Sequence, residues 1–293
     1  MTTCLSLKLF GVSGLVNSVT RQMATKAKQN VVLSVIEPRI LHISINRPEK
    51  KNCVNHATAL ELISAFDRLN NDDGIDVAVL SGQGATFCAG YDLSTVADGT
   101  RPSGDAAAGH LAAGHRFMGP TGTNPIKKPV IAAIEGHAVA GGLELAMLAD
   151  LRVAAKSASF GVLCRRFGVP LIDGGTVRLP AAIGYSRAMD LILTGRAIDA
   201  ETAYSWGLVN RLVADGTALE SAVQLAKDLL AFPQACMRAD RESAFRATFD
   251  NGDFASKLDF ELTNGLPVLE EAAKGAKTFI SKSYKVNPNK PKL

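Results

Sequence analysis

Apolar residues in the first 216 positions fall into short runs that predict β-strands, separated by segments with helical periodicity. A helix is predicted from about His56 to Leu69, with Leu60, Ile63 and Phe66 towards one face. Strands that alternate with helices indicate an α/β fold. The predicted strands are VVLSVIE (Val31–Glu37), ILHISI (Ile40–Ile45), VAVLSG (Val77–Gly82), PVIAAIEG (Pro129–Gly136), LRVAA (Leu151–Ala155), ASFG (Ala158–Gly161) and a last run in LVNRLV.

The later part of the chain predicts mainly helix. SRAMDLILTG is expected to start at Ser186 as N-cap and end before Gly195, and DAETAYSWG repeats this plan with Asp199 and Gly207. From residue 217 onward the pattern is helical, with breaks near two prolines, and no inter-domain linker is apparent. We therefore predict a leader over residues 1–29, a core over 30–216 and a helical segment over 217–293.

Composition and missing motifs exclude several functional classes. Apolar residues make up 47% of the 293 positions, and no apolar stretch is long enough to span a bilayer. The five cysteines lack C-x-x-C spacing and the five histidines lack metal-binding spacing. GQGATF (Gly82–Phe87) fails the dinucleotide fingerprint, and neither a phosphate loop nor a nucleophile elbow occurs. We expect no metal and no redox cofactor.

The leader carries all of the excess positive charge. It holds four of the 32 basic side chains and no acid, which leaves 28 basic against 28 acidic side chains in the body. A neutral body argues against a nucleic-acid partner. Basic residues beside Ser, Thr and a helical apolar face are similar to a mitochondrial presequence, which predicts the mitochondrial matrix. A disordered N-terminus is the alternative interpretation, and the terminal Pro-Lys-Leu favours the peroxisome as an alternative location.

One carboxylate stands in an apolar setting. The stretch GHAVAGGLELAM (Gly136–Met147) opens a helix that is almost wholly apolar, apart from Glu144. Such a helix is expected to be buried, and a buried carboxylate is costly unless it is paired, protonated or used in chemistry. Glu144 is therefore a candidate acid or base, with a structural carboxylate as the alternative.

Two glycine-containing turns follow predicted strands, in FCAGYDL (Phe87–Leu93) and in AGGLE (Ala140–Glu144). Each turn can leave a backbone N–H unpaired, and two converging N–H groups form an oxyanion hole for a carbonyl oxygen that gains negative charge. The second turn also opens a helix, whose dipole favours an anion.

These motifs resemble the enoyl-CoA hydratase/isomerase (crotonase) family over roughly residues 31–283. The resemblance implies a crotonase-like right-handed spiral of strand–strand–helix units and a C-terminal helical oligomerisation segment, hence a homotrimer or hexamer. It also implies an acyl-CoA thioester substrate, of which CoA is a part rather than a cofactor. The matching pieces are NRPEKKNCVN, FCAGYDL, KKPVIAAIEGHAVAGGLELAMLADLRVAA, SFGV, GVPLIDGGTVRLP, LILTGRAIDAETAYSWGLVNRLV and KGAKTFISK.

The resemblance assigns roles to individual residues. The oxyanion-hole amides fall on Tyr91 and Gly141, and Glu144 falls on the first of two catalytic glutamates of hydratases. The backbone from Ala89 to Leu93, which includes Asp92, is expected to contact the CoA moiety. The 94–125 segment, rich in Gly, Ala, Thr and Pro, is expected to be a mobile loop around a short helix and to line the acyl pocket.

The chain departs from the family at the second glutamate, where Cys164 stands in FGVLCRRFGVP. The next carboxylate is Asp173 in LIDGGT, which is either a second catalytic carboxylate or a turn-forming residue before two glycines. Arg165 and Arg166 are expected either to pair with it or to cap the loop.

The leading hypothesis is hydration of 2-trans-enoyl-CoA through an enolate, in fatty-acid or related acyl-CoA metabolism, with Glu144 and Asp173 as catalytic residues. Double-bond isomerisation on one base is the runner-up, and thioester hydrolysis and decarboxylation stay open. A non-catalytic acyl-CoA-binding protein is the alternative outside enzymes, because the second glutamate is missing.

Overall fold

A computed structural model describes residues 29–101 and 103–281. The predicted leader up to residue 28 and the C-terminal Pro-Lys-Leu lie outside the described residues. Within them, no helix is both long and apolar enough to cross a membrane.

The main sheet has six strands in the order β1-β2-β3-β4-β6-β9. β1 and β2 form an antiparallel pair with Val31 opposite Ile45, and every other neighbouring pair is parallel. The predicted strands are found within a few residues of the expected positions. Their bounds are β1 (Val31–Glu37), β2 (Ile40–Ile45), β3 (Val77–Gly82), β4 (Val130–Ile134), β6 (Leu151–Ala155) and β9 (Arg211–Val213).

A second sheet of three strands stands beside the first, in the order β5 (His137–Val139), β7 (Ser159–Gly161) and β8 (Ala197–Asp199). β5 pairs with β7 in parallel, and β7 pairs with β8 antiparallel. The single predicted run from Pro129 to Gly136 therefore leads into a second strand, because Gly136, at φ +56°, turns the chain from one sheet to the other.

Helices join the strands and form the C-terminal part. They are α1 (His56–Asn71), α2 (Leu93–Ala97), α3 (Gly104–Ala112), α4 (Gly141–Ala146), α5 (Gly175–Ile183), α6 (Tyr185–Thr194), α7 (Ala200–Ser205), α8 (Ala218–Leu230), α9 (Gln234–Phe249), α10 (Phe254–Gly265) and α11 (Leu269–Ile280). Three 3-10 turns occupy Pro48–Lys50, Leu163–Phe167 and Leu266–Val268.

Two helix details differ from expectation. α6 starts at Tyr185 with Gly184 as its N-cap, so Ser186 lies inside the helix and is not the cap. On α1 the buried positions include Leu62, Phe66 and Leu69, whereas Leu60 is half exposed. The prediction placed the buried face too far towards Leu60, because several neighbouring apolar positions fit the same helical period.

Both faces of the main sheet are covered. On one face the core contains α1 side chains against β1 and β2, for example Leu62 and Phe66 with Leu41 and Ile43. On the other face α8 places Ala222 and neighbouring alanines against Val77, Val79 and Ile131. The first helix of the 217–293 segment thus packs on the sheet, while α10 and α11 contain no buried residue. The division at residue 216 stays a prediction.

Candidate active site

Two glycine-containing turns lie side by side, one after β3 and one between β5 and α4. The Cys88 N–H donates to the His137 carbonyl oxygen at 2.9 Å, and the Cys88 carbonyl oxygen accepts from the Val139 N–H at 3.2 Å. A Cβ on Gly90, whose φ is +104°, would lie 3.0 Å from the Cβ of Ala140. Glycine therefore permits the close approach of the turns.

Each turn presents at least one backbone N–H that donates to no residue in the described part of the chain, that of Tyr91 in the first turn and that of Gly141 in the second. Val54 forms hydrogen bonds with both neighbours of Tyr91, which leaves the Tyr91 N–H turned away from Val54. Gly141 is the first residue of α4, where the N–H has no helical acceptor. Ala140, just before it, has a φ of +54°, an uncommon conformation for a non-glycine residue.

Glu144 lies in the first turn of the same helix and is 3% exposed. Its Oε1 accepts a hydrogen bond from the backbone N–H of Asp173 at 2.9 Å and from that of Gly175 at 2.8 Å. Burial is the main cause that raises the pKa of Glu144 to about 7, and the negative charge of Asp173 adds to it. The side chain is therefore poised to exchange a proton near neutral pH.

Asp173 lies just before α5 and is 4% exposed. Its Oδ1 accepts from the Met118 N–H at 2.7 Å and from the Thr121 hydroxyl at 2.6 Å. Burial raises the pKa of Asp173, while these donors lower it. The structure thus brings together the two carboxylates that the sequence singled out, although they are 29 positions apart.

Each carboxylate is held by one oxygen only. Among the described residues, no hydrogen bond reaches Oε2 of Glu144 or Oδ2 of Asp173. The bound oxygens fix the orientation of both groups, and the second oxygens remain available for a reacting molecule.

Arg178 is a half-buried cation that braces this pair, and sequence reasoning missed it. Its Nη1 and Nη2 both donate to the Thr121 carbonyl oxygen at 3.1 Å, and Nη1 also donates to the Asp173 carbonyl oxygen at 3.1 Å. Its positive charge lowers the pKa of both Glu144 and Asp173. The available signal was that Arg178 is the one charged residue in the stretch GTVRLPAAI.

Cys164 lies in the 3-10 turn Leu163–Phe167 and is 8% exposed. Burial, followed by the charge of Glu144, raises the pKa of the Cys164 thiol. The thiol is therefore neutral at physiological pH and does not replace an ionised carboxylate.

The neighbouring arginines do not pair with Asp173. Arg165 Nε donates to the Ile192 carbonyl oxygen at 3.2 Å, and Arg166 Nε donates to the Gly195 carbonyl oxygen at 2.8 Å. Both arginines thus bond to carbonyl oxygens near the C-terminal end of α6.

The segment predicted to contact CoA is held internally by Asp92. The buried Asp92 carboxylate forms an ion pair with Arg47 at 2.9 Å and caps α2 by accepting from the Ser94 N–H at 3.2 Å. This leaves the backbone, rather than the Asp92 side chain, to meet a ligand. Ala89 is half-buried, and Leu93 is exposed.

Within the described ranges, no group of three or more His, Cys, Asp or Glu side chains is arranged to hold a metal ion.

Comparison with known proteins matches residues 36–286 to the enoyl-CoA hydratase/isomerase family. The chain is 34% identical to an enoyl-CoA hydratase of Mycobacterium tuberculosis, over 83% of this chain and 90% of that protein. It is 37% identical to a carnitinyl-CoA dehydratase of Citrobacter koseri, over 71% of this chain and 77% of that protein. The crystal structure of an enoyl-CoA hydratase from Mycobacterium marinum superposes with a TM-score of 0.78 at 36% identity, covering 87% of this chain and 97% of that one.

These findings confirm the predicted fold class and correct one expectation. The α/β architecture with a C-terminal helical segment matches the solved structures. The predicted location in the mitochondrial matrix, with the peroxisome as alternative, is wrong, because the relatives are bacterial enzymes. The mitochondrial interpretation of the leader rested on its basic, serine-rich composition and a helical apolar face, and these features also occur in termini that are not presequences.

Proposed function

This chain belongs to the enoyl-CoA hydratase/isomerase family, and from that premise we propose that it adds water to 2-trans-enoyl-CoA thioesters. The relatives named as a hydratase and as a dehydratase support a reaction of this kind, because dehydration of a 3-hydroxyacyl-CoA is the reverse of hydration. The observation that carries the proposal is the pair of buried carboxylates, Glu144 and Asp173, each with one oxygen held and one oxygen available.

The thioester carbonyl oxygen binds at the two unpaired amides. The N–H groups of Tyr91 and Gly141 donate to this oxygen, and the N-terminus of α4 adds its dipole. When water attacks C3, electrons move onto the oxygen and form an enolate. Donors that are already oriented stabilise that charge more than the charge of the ground state, which is what accelerates the step.

The carboxylate pair moves the protons. Two buried negative charges repel each other, so the pair holds one proton near neutral pH. The ionised member removes a proton from water as its oxygen bonds to C3, and the protonated member delivers its proton to C2. One proton enters the pair and one leaves, so the pair ends in its starting charge state.

Double-bond isomerisation is the second candidate, and the observation in its favour is the neutral Cys164 at the second-glutamate position. Isomerisation moves one proton from one carbon to another and needs only one base. Asp173 would then be a structural residue that holds the loop before α5.

The candidate functions can be distinguished by incubating a panel of acyl-CoA thioesters with pure protein and analysing the products by mass spectrometry. Hydration predicts a gain of one water on enoyl-CoA, and isomerisation predicts an unchanged mass with a moved double bond. Release of free CoA together with a free carboxylic acid would indicate thioester hydrolysis. Tight binding with no product after long incubation would indicate a non-catalytic acyl-CoA-binding protein and would overturn the proposal.

A further inference from the structure

The Tyr91 hydroxyl is a buried polar group without a hydrogen-bond partner among the described residues. Burial raises the pKa of Tyr91, and the nearby Thr95 hydroxyl lowers it, although that hydroxyl donates its proton to the Asp92 carbonyl oxygen at 2.7 Å. A buried hydroxyl left unpaired costs free energy, whereas a phenylalanine at the same place would not. Packing alone therefore does not account for the hydroxyl.

The ring that carries this hydroxyl has a defined place. It meets the Phe117 ring edge-on, with centroids 6.0 Å apart and planes at 89°. Phe117 immediately precedes Met118, whose N–H holds Asp173. The negative charge of Asp173 also raises the pKa of the Tyr91 phenol, which places the hydroxyl within electrostatic reach of the candidate site.

The same residue offers its backbone N–H to the thioester oxygen in the proposed function. We take the acyl chain of an acyl-CoA bound at that amide to run from the carbonyl carbon along the Tyr91 side chain. Because the hydroxyl lies at the far end of the ring, it meets atoms beyond the reacting carbons C2 and C3.

The helix beside the hydroxyl, α2, has few buried contacts. α2, which follows Tyr91, has five residues and none of them is buried, and Leu93 and Val96 on it are exposed. Segments with few buried contacts open at low free-energy cost. Of the elements beside the hydroxyl, α2 is therefore the one that an acyl chain would displace at least cost.

We propose that the Tyr91 hydroxyl selects acyl-CoA substrates that carry an oxygen substituent, a hydroxyl or a carbonyl, at C4 or beyond. This inference rests on the proposed function, because the acyl group must first be anchored at the Tyr91 and Gly141 amides. A site built to hydrogen-bond an oxygen on the substrate discriminates against the analogue that lacks it, since the phenol is then left unpaired.

The test compares matched saturated ligands that the enzyme cannot hydrate: 4-hydroxybutyryl-CoA with butyryl-CoA, and 5-hydroxypentanoyl-CoA with pentanoyl-CoA. Isothermal titration calorimetry gives the ratio of affinities within each pair. For the wild type we expect the hydroxylated member of at least one pair to bind about 5- to 10-fold more tightly. In Tyr91→Phe that ratio should fall to about one, and in the control Tyr185→Phe, at an exposed tyrosine, it should stay at the wild-type value.

Equal affinities within both pairs in the wild type, or a preference that survives in Tyr91→Phe, would overturn this inference alone. Failure of all four ligands to bind would overturn the proposed function together with it. Because binding is measured without turnover, the two failures are distinguished in one experiment.

Discussion

Glu144 and Asp173 meet through a backbone contact: Glu144 Oε1 accepts a hydrogen bond from the Asp173 N–H at 2.9 Å. The bond fixes the position of one carboxylate relative to the segment that carries the other. Because the donor is a backbone N–H, the bond occupies only Oε1 of Glu144 and does not involve the Asp173 carboxylate. Burial raises the pKa of both acids, and the negative charge of Asp173 raises that of Glu144 further, which suits acid–base chemistry at neutral pH.

Stability should depend on the ionisation of Glu144. Its ordinary pKa of 4.5 is raised to about 7 in the folded chain, so the unfolded chain binds fewer protons between these values. The free energy of unfolding should therefore fall as pH rises from about 4.5 to about 7, by up to about 3 kcal/mol. Urea unfolding at pH 5 and pH 8 measures this, and Glu144→Gln should show a smaller fall. An equal fall in both proteins would contradict the assignment.

The oxyanion amides can be tested by removing one N–H. Gly141→Pro should lower kcat by about 100-fold or more, because a proline has no N–H to donate. Gly141→Ala is the matched control: it adds a Cβ 2.7 Å from the flexible Met118 Sδ but keeps the N–H, and it should lose much less activity. Similar losses in the two variants would mean that the Gly141 N–H is not a donor to the substrate.

Gly175 sets the position of Glu144. A Cβ at residue 175 would lie 2.9 Å from both Cγ and Oε1 of Glu144, so Gly175→Ala should displace the carboxylate and lower kcat on the order of 100-fold. Gly275→Ala, in α11 with no atom within 4 Å of the added Cβ, is the control and should keep its activity. A fully active Gly175→Ala enzyme would show that the placement of Glu144 is not critical.

We propose that the chain assembles as a homotrimer or hexamer through its last helices. α10 and α11 carry large exposed apolar side chains, with Phe254 at 77% and Ile280 at 78% exposure, and such a surface needs a partner to bury it. Light scattering at micromolar concentration should report three or six copies. Leu262→Glu should reduce the assembly, whereas Leu193→Glu on α6 should not, and a wild-type monomer would refute the proposal.

Most strands and the helical C-terminal part could be predicted from the sequence, because short apolar runs and helical periods are local signals. α5 was not predicted, because its sequence carries Gly174 as N-cap, Gly175 as first residue and Pro180 inside the helix. The helix forms nonetheless, because Leu179 and Ile183 are buried against the core. Tertiary packing overrides local propensity at this point.

The two acids of the candidate site could be predicted from the sequence, but the residues that hold them in place could not. Glu144 stood out as one charge in an apolar helix, and Asp173 as the next carboxylate after the missing glutamate. Thr121 and Met118 could not be found in this way, because they contact Asp173 across more than 50 positions of the chain. Their side-chain types carry no local signal, so only the fold shows that they hold the second carboxylate.

The most direct test of the two-carboxylate account is the rate of hydration of crotonyl-CoA, followed by mass gain, in Asp173→Asn beside Glu144→Gln. Both variants keep the shape of the side chain and remove its proton exchange, and Asp190→Asn at an exposed position serves as the control. The account predicts that each of the two site variants lowers kcat about 100-fold or more while acyl-CoA still binds. Hydration at the full wild-type rate in Asp173→Asn would contradict it.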